Sequence, residues 1–104
     1  SPAAHRLLAQ AHAALGDTTR SLREARTARL ALDSVLGTGD GTVDRPWTVL
    51  HLADEYDVLR DLGRRSTGQR LVRREDRWFD VHDTATGEAW FDVTALPRGR
   101  ARTR

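Results

Sequence analysis

The chain has 104 residues, 17 of them basic and 15 acidic, with no cysteine and no methionine. That is room for one small domain, or for a domain with a piece of another. The missing cysteine excludes disulfides, thiolate metal sites and cysteine nucleophiles, and no apolar run is long enough to span a bilayer.

A chain that begins at Ser1 and holds no methionine reads as the C-terminal piece of a longer protein. All 17 basic residues are arginine. Arginine forks grip phosphate well. The composition is rich in Ala, Arg, Gly and Asp and lacks Lys, which equally fits a GC-rich bacterial genome. The genomic reading is preferred, because a nucleic-acid footprint gathers its charge on one face. Here the sign alternates instead: +2 over residues 1–37, −4 over 38–63, +4 over 64–77, −4 over 78–97 and +4 over 98–104. Such blocks predict pairing within the chain or with a partner.

Residues 3–15 are dominated by good helix formers. Leu7, Leu8, Ala11, Ala14 and Leu15 recur at helical spacing as one apolar stripe, and Pro2 suits a helix start. Gly16 is expected to cap this helix and Asp17 to open the next. The second helix is expected over residues 18–36, with Leu22, Ala25, Ala28 or Arg29, Leu32 and Leu36 on its stripe. The short link makes the two helices antiparallel neighbours.

Residues 37–46 (GTGDGTVDRP) are a loop by composition, and the domain boundary is placed near Thr38. A strand is expected over residues 47–52 and a short helix over 53–62. That helix should turn Ala53, Tyr56, Val58, Leu59 and Leu62 inward and its acids outward, with Gly63 ending it. Three further strands are expected at 69–74, 77–82 and 88–93. Glu75–Asp76 and Asp83–Gly87 serve as turns, giving an antiparallel meander. Pro97 ends the meander, and residues 98–104 read as a disordered arginine-rich tail. The expected fold class is α+β. Residues 1–37 form an antiparallel helical hairpin, and residues 38–97 a small domain of strand, short helix and three-stranded meander.

Two resemblances attach to these segments. Residues 3–33 resemble a tetratricopeptide repeat: Leu8 and Ala9 in the first helix, Gly16 at the turn, small residues at Ser21, Ala25 and Ala28, and Leu32–Asp33 at the end. His5 and His12 stand where that family usually has aromatics. The resemblance implies further repeats before Ser1, since such units stabilise one another by stacking. Residues 38–95 resemble a bacterial domain of unknown function, family 4919. Gly39–Thr42, Pro46–Leu52, Asp54–Glu55–Tyr56, Leu62–Gly63, Thr67–Gly68–Gln69, Phe79–Asp80–Val81, Thr86–Gly87 and Trp90–Val93 follow in order. Arg77–Trp78–Phe79 depart from that family's pattern. The second resemblance implies a fold and no activity.

No chemistry is legible in the motifs. Gly39–Asp40–Gly41 with Asp44 lacks the glutamate that closes an EF-hand loop, since His51 occupies that position. It also lacks the lysine of a phosphate loop. His5 and His12 lie two turns apart, unlike a metal pair on adjacent turns. His51 with Asp54, Glu55 and Asp80 is a conceivable acid–base cluster, whereas Ser66 stands alone in a loop. The sequence therefore assigns no catalytic, cofactor or metal residue, and the protein reads as non-enzymatic.

Adjacent strand residues point to opposite faces. Phe79 and Phe91 are thus expected on one face, and Trp78 and Trp90 on the other. Packing of both pairs is preferred. If one is open, Trp78, Trp90, Arg70, Arg73 and Arg74 form the candidate partner-binding surface. The functional expectation is a protein-interaction or capping module at the end of a helical-repeat protein. The rival is nucleic-acid binding through the arginine strip and tail. The sequence does not fix the compartment, with the cytoplasm favoured.

Overall fold

The computed structural model describes residues 1–14 and 18–97. The expected Gly16–Asp17 link and the tail lie outside the described residues, as does the side chain of His12. The elements run α1 (Pro2–Ala14), α2 (Thr18–Leu36), β1 (Trp47–Thr48), α3 (Leu52–Asp61), β2 (Gly68–Arg74), β3 (Arg77–Thr84) and β4 (Gly87–Asp92). The fold is α+β, as the pattern predicts.

The helical hairpin is held closely at small residues. Ala9 and Ala28 are buried, and the Ser21 hydroxyl donates to the carbonyl of Ala9 at 2.7 Å. His5 Nδ1 lies 2.9 Å from Glu24 Oε2 and ties the two helices again. The predicted stripes are only half right. Leu32 is buried, but Leu7, Leu8 and Leu22 face outward, at 66, 46 and 67 % exposure. The hairpin packs on α3 and the sheet through the far end of α2, so its apolar contacts shift toward Leu32 and Val35.

The sheet has four strands in the order β1-β4-β3-β2. The three-stranded meander is present, and the segment after Pro46 adds a fourth strand, parallel to β4. This strand is shorter than the predicted 47–52, because the chain leaves the ladder after Thr48, with one more bond from Val49 N to Asp92 O. The loop before it rests on the same edge, where the Trp90 amide donates to the Gly41 carbonyl at 2.8 Å. Gly41 has φ +83°, and a Cβ there would stand 2.3 Å from the Trp47 ring. Glycine is required at this position both by conformation and by space.

The predicted pairing of aromatics is corrected by the register. Thr84 pairs with Gly87, leaving a two-residue turn at Ala85–Thr86, and Val81 faces Trp90. Phe79 and Trp90 therefore share the outer face, with ring centroids 5.6 Å apart. Phe91 lies on the inner face against Trp47 at 5.3 Å.

The main core lies between the inner face and the helices. Leu32 and Val35 of α2, Val58 and Leu59 of α3, and Trp47, Val49, Ala89, Phe91, Val93 and Leu96 form one buried cluster. The hairpin and the residues after Thr38 are thus joined by a continuous apolar core. The predicted outward placement of the acids on α3 is overturned. Asp54, Glu55 and Asp57 are buried, while Ala53, Tyr56 and Leu62, expected inside, are exposed. The helix lies between the hairpin and the sheet, where Asp57 meets two arginines and Glu55 a histidine, while Asp54 Oδ1 and Asp57 Oδ2 are buried without a hydrogen-bond partner among the described residues.

Candidate functional site

The residues predicted to meet a partner are divided between the two faces of the sheet, Trp90, Arg70 and Arg74 on the outer face and Trp78 and Arg73 on the inner, and each is engaged within the chain. Trp90 packs with Phe79, Val81 and Val72 in a second cluster on the outer face. The Arg74 guanidinium covers its ring at 5.8 Å, as Arg73 covers Trp78. Arg70 bridges Asp83 and Glu88. Arg77 binds Asp92 through two nitrogens. Arginine stems of this kind shield apolar rings while their heads stay hydrated. The alternation of charge along the sequence is thus spent across the sheet: the +4 block on β2 and β3 meets the −4 block on β3 and β4.

Two carboxylates show the local chemistry. At Asp92, burial raises the pKa, but bonds from the Thr94 hydroxyl and amide and from Arg77 outweigh it and hold the group below its ordinary value. Asp40, in the Gly-Asp-Gly loop, accepts from both the hydroxyl and the amide of Thr42, and these bonds lower its pKa. The side chain therefore works as a turn-former.

Beneath α3 lies a polar cluster that sequence reasoning missed. Glu55 and His82 are both fully buried, with Glu55 Oε1 2.7 Å from His82 Nε2. On the other side of the ring, His82 Nδ1 lies 2.8 Å from Ser66 Oγ. The ring is clamped edge-on by Tyr56 at 5.3 Å and Phe91 at 5.5 Å. Burial holds the His82 imidazole below its ordinary pKa, against Asp80 and Asp83, which pull the other way. A neutral imidazole has one donor and one acceptor nitrogen. With Glu55 accepting from Nε2–H, Nδ1 is the acceptor and the Ser66 hydroxyl is its donor. The Gly68 carbonyl, 3.1 Å from Oγ, is the alternative acceptor for the same proton.

Ser66 is therefore not alone, as the sequence implied, and the partners of Glu55 differ from those expected. His51 is 59 % exposed, with its Nδ1 3.5 Å from Asp54 Oδ2, while Glu55 turns to His82. The concavity beside His51 also takes in Asp54, Ser34 and Thr48 but neither Glu55 nor Asp80, so of the conceivable acid–base cluster only His51 and Asp54 come together. Asp57, 1 % exposed, bonds Arg6 of α1 and Arg60 of α3, which fixes the hairpin to α3.

A concavity of about 310 Å³ opens beside Ser66, lined by Tyr56, Leu59, Arg60, Arg64 and Arg65. Arg64 donates to Thr84 Oγ1 at 3.1 Å and to the carbonyls of Gly87 and Glu88 at 3.2 and 3.4 Å. All of these partners are neutral, so the guanidinium is held in place without a carboxylate partner among the described residues. Arg65 has no carboxylate partner among the described residues.

Comparison of the chain with protein-family models, curated proteins and solved structures finds no match. No helix among the described residues is long and apolar enough to cross a membrane.

The hairpin supplies the remaining surface. Leu7 and Leu8 on α1 and Leu22 and Leu30 on α2 are exposed, the last at 63 %. Around them on α2 stand the exposed Arg23 and Arg26. Single exposed leucines are ordinary. The hairpin carries four of them, while Leu50, Leu52, Tyr56 and Leu62 are exposed on and beside α3 and Leu71 on β2; a run of exposed leucines on a helical unit is a surface that a neighbouring unit can cover.

Proposed function

We propose that the chain is a protein-interaction and capping module whose helical hairpin receives a neighbouring helical hairpin. The observation that carries this reading is the outward set Leu7, Leu8, Leu22 and Leu30. In a stacked helical array each unit buries its apolar side against the next, and a terminal unit has one side to close. The sheet and α3 close one side here, through Leu32, Val35 and the Arg6–Asp57 bond. The outward leucines then face the neighbour. Arg23 and Arg26 favour an acidic rim on that partner. The tetratricopeptide-like spacing of residues 3–33 supports the same reading.

Nucleic-acid binding gains little support from the Arg64–Arg77 strip, in which only Arg64 and Arg65 lack a carboxylate or ring partner among the described residues. Arg70 and Arg77 are paired with carboxylates, and Arg73 and Arg74 lie over tryptophan rings. Phosphate contacts require cations that can leave their present partners.

The test is capture from lysate of the source organism, with and without nuclease. Parent chain, the double variant Leu22→Glu/Leu30→Glu and the variant Arg73→Gln/Arg74→Gln are compared. The reading predicts one protein captured by the parent and by the arginine variant, insensitive to nuclease and lost with the leucine variant. Capture that disappears with nuclease, or with the arginine variant alone, contradicts it.

A further inference from the structure

Beyond the interaction reading and independent of it, we infer that Ser66 is a nucleophile activated by the buried His82–Glu55 pair, able to accept the acyl group of an ester that carries a negative charge. The nucleophile–base distance is 2.8 Å and the base–carboxylate distance 2.7 Å, both within the range of a working relay. The sequence order and the ring orientation are unlike the familiar serine hydrolases, but a relay of this type is defined by geometry and role. Each member comes from a different place: Glu55 from α3, Ser66 from the loop before β2, His82 from β3. The fold, not a local motif, assembles them.

The half-buried Ser66 is the member that lines the concavity, since His82 and Glu55 have no exposed surface. When the Ser66 proton points to Nδ1, the remaining lone pairs of Oγ are available to the concavity. Its wall carries Arg60, Arg64 and Arg65 and no acid. Arg60 is matched by Asp57, which leaves Arg64 and Arg65 to attract a carboxylate on the substrate and to stabilise the oxyanion as it forms. Leu59 and the Tyr56 ring offer an apolar wall for the chain between the two charges.

The step balances without a further reactant. Ser66 Oγ forms a bond to the ester carbonyl carbon, its proton passes to His82 Nδ1, and Glu55 offsets the imidazolium charge. The tetrahedral intermediate then expels the alcohol, which takes the proton back from Nδ1, leaving acyl-Ser66 and a neutral imidazole. Water repeats the sequence to release the carboxylate. Because His82 is enclosed by Tyr56 and Phe91, water reaches Nδ1 only past Oγ, and release is the slower half.

The probes are mono-p-nitrophenyl succinate and p-nitrophenyl acetate. Mixing with either should give a burst of one p-nitrophenolate per chain, then slow turnover, with the acyl mass found on Ser66 by peptide mapping. The anionic ester should react on the order of tenfold faster, and Arg65→Gln should erase that preference. Ser66→Ala should abolish the burst while its far-UV circular dichroism matches the parent. Glu55 is a positioning residue: Glu55→Gln should slow acylation by about 100-fold and shift the pH of half-maximal rate. The proposal is overturned if the folded parent shows no burst at millimolar ester, or if Ser66→Ala reacts as fast as the parent.

Discussion

Replacing His82 with leucine tests the buried pair as a stability element. The ring is fully enclosed, and leucine is apolar and of similar volume, so the change leaves little cavity but takes away the donor to Glu55 and the acceptor for Ser66. Breaking a buried pair by removing one partner costs about 3 to 5 kcal/mol, a large part of the roughly 5 to 15 kcal/mol that holds a small domain folded. Glu55→Leu alone leaves a neutral imidazole with one unmatched N–H and costs about 1 to 3 kcal/mol. The double variant replaces both groups beside Val58 and Phe91 with apolar side chains and should recover most of the loss. The four chains form a double-mutant cycle, read by urea unfolding with far-UV circular dichroism and tryptophan fluorescence. The expected coupling is about 2 kcal/mol or more. A His82→Leu loss below about 1 kcal/mol, or additive effects in the double variant, would refute the reasoning.

The depressed His82 pKa gives a pH dependence of definite sign. The unfolded imidazole returns to about 6.5, so between that value and the lower folded one the unfolded chain binds more protons. Stability is then full above about pH 6.5 and falls as the pH drops through the window. The urea midpoint should be higher at pH 7.5 than at pH 5.5, and that difference should shrink in the His82→Leu/Glu55→Leu double variant. A midpoint that rises on acidification contradicts the assignment. Gly41→Ala drives a Cβ toward the Trp47 ring at a left-handed φ, and should lower stability by about 2 kcal/mol or more, measured by thermal melting. A neutral result would mean that the loop does not pack on Trp47. In the hairpin, Leu32→Ala should cost about 2 to 4 kcal/mol, whereas Leu22→Ala should change stability by about 0.5 kcal/mol or less. Equal costs would place Leu22 in a core.

The helices and strands were legible because their signals are local: leucine and alanine spacing, and Gly, Pro and Asp at the breaks. What depends on long-range packing was not. Amphipathic patterning puts the acids of α3 outside, yet Asp54, Glu55 and Asp57 are buried because α3 is covered on two sides and the sequence names neither cover. His82 and Ser66 gave no motif, since their partners are 27 and 16 residues away. The aromatic faces turned on one detail. A two-residue turn pairs positions of opposite parity, so Phe79 and Phe91, which both precede Asp-Val, point to opposite sides. Reading the turn as Asp83–Gly87 shifts the register by one and flips every side chain on one strand.

The interaction reading rests on the outward leucines of the hairpin, and site-specific photocrosslinking addresses it directly. A photoreactive amino acid at position 22 or 30, compared with one at position 74, is irradiated in native extract, and the crosslinked residues on the partner are identified by mass spectrometry. The account predicts crosslinks from positions 22 and 30 to apolar positions of a helical hairpin, and none to a protein from position 74. Crosslinks confined to position 74, or to nucleic acid, would contradict it.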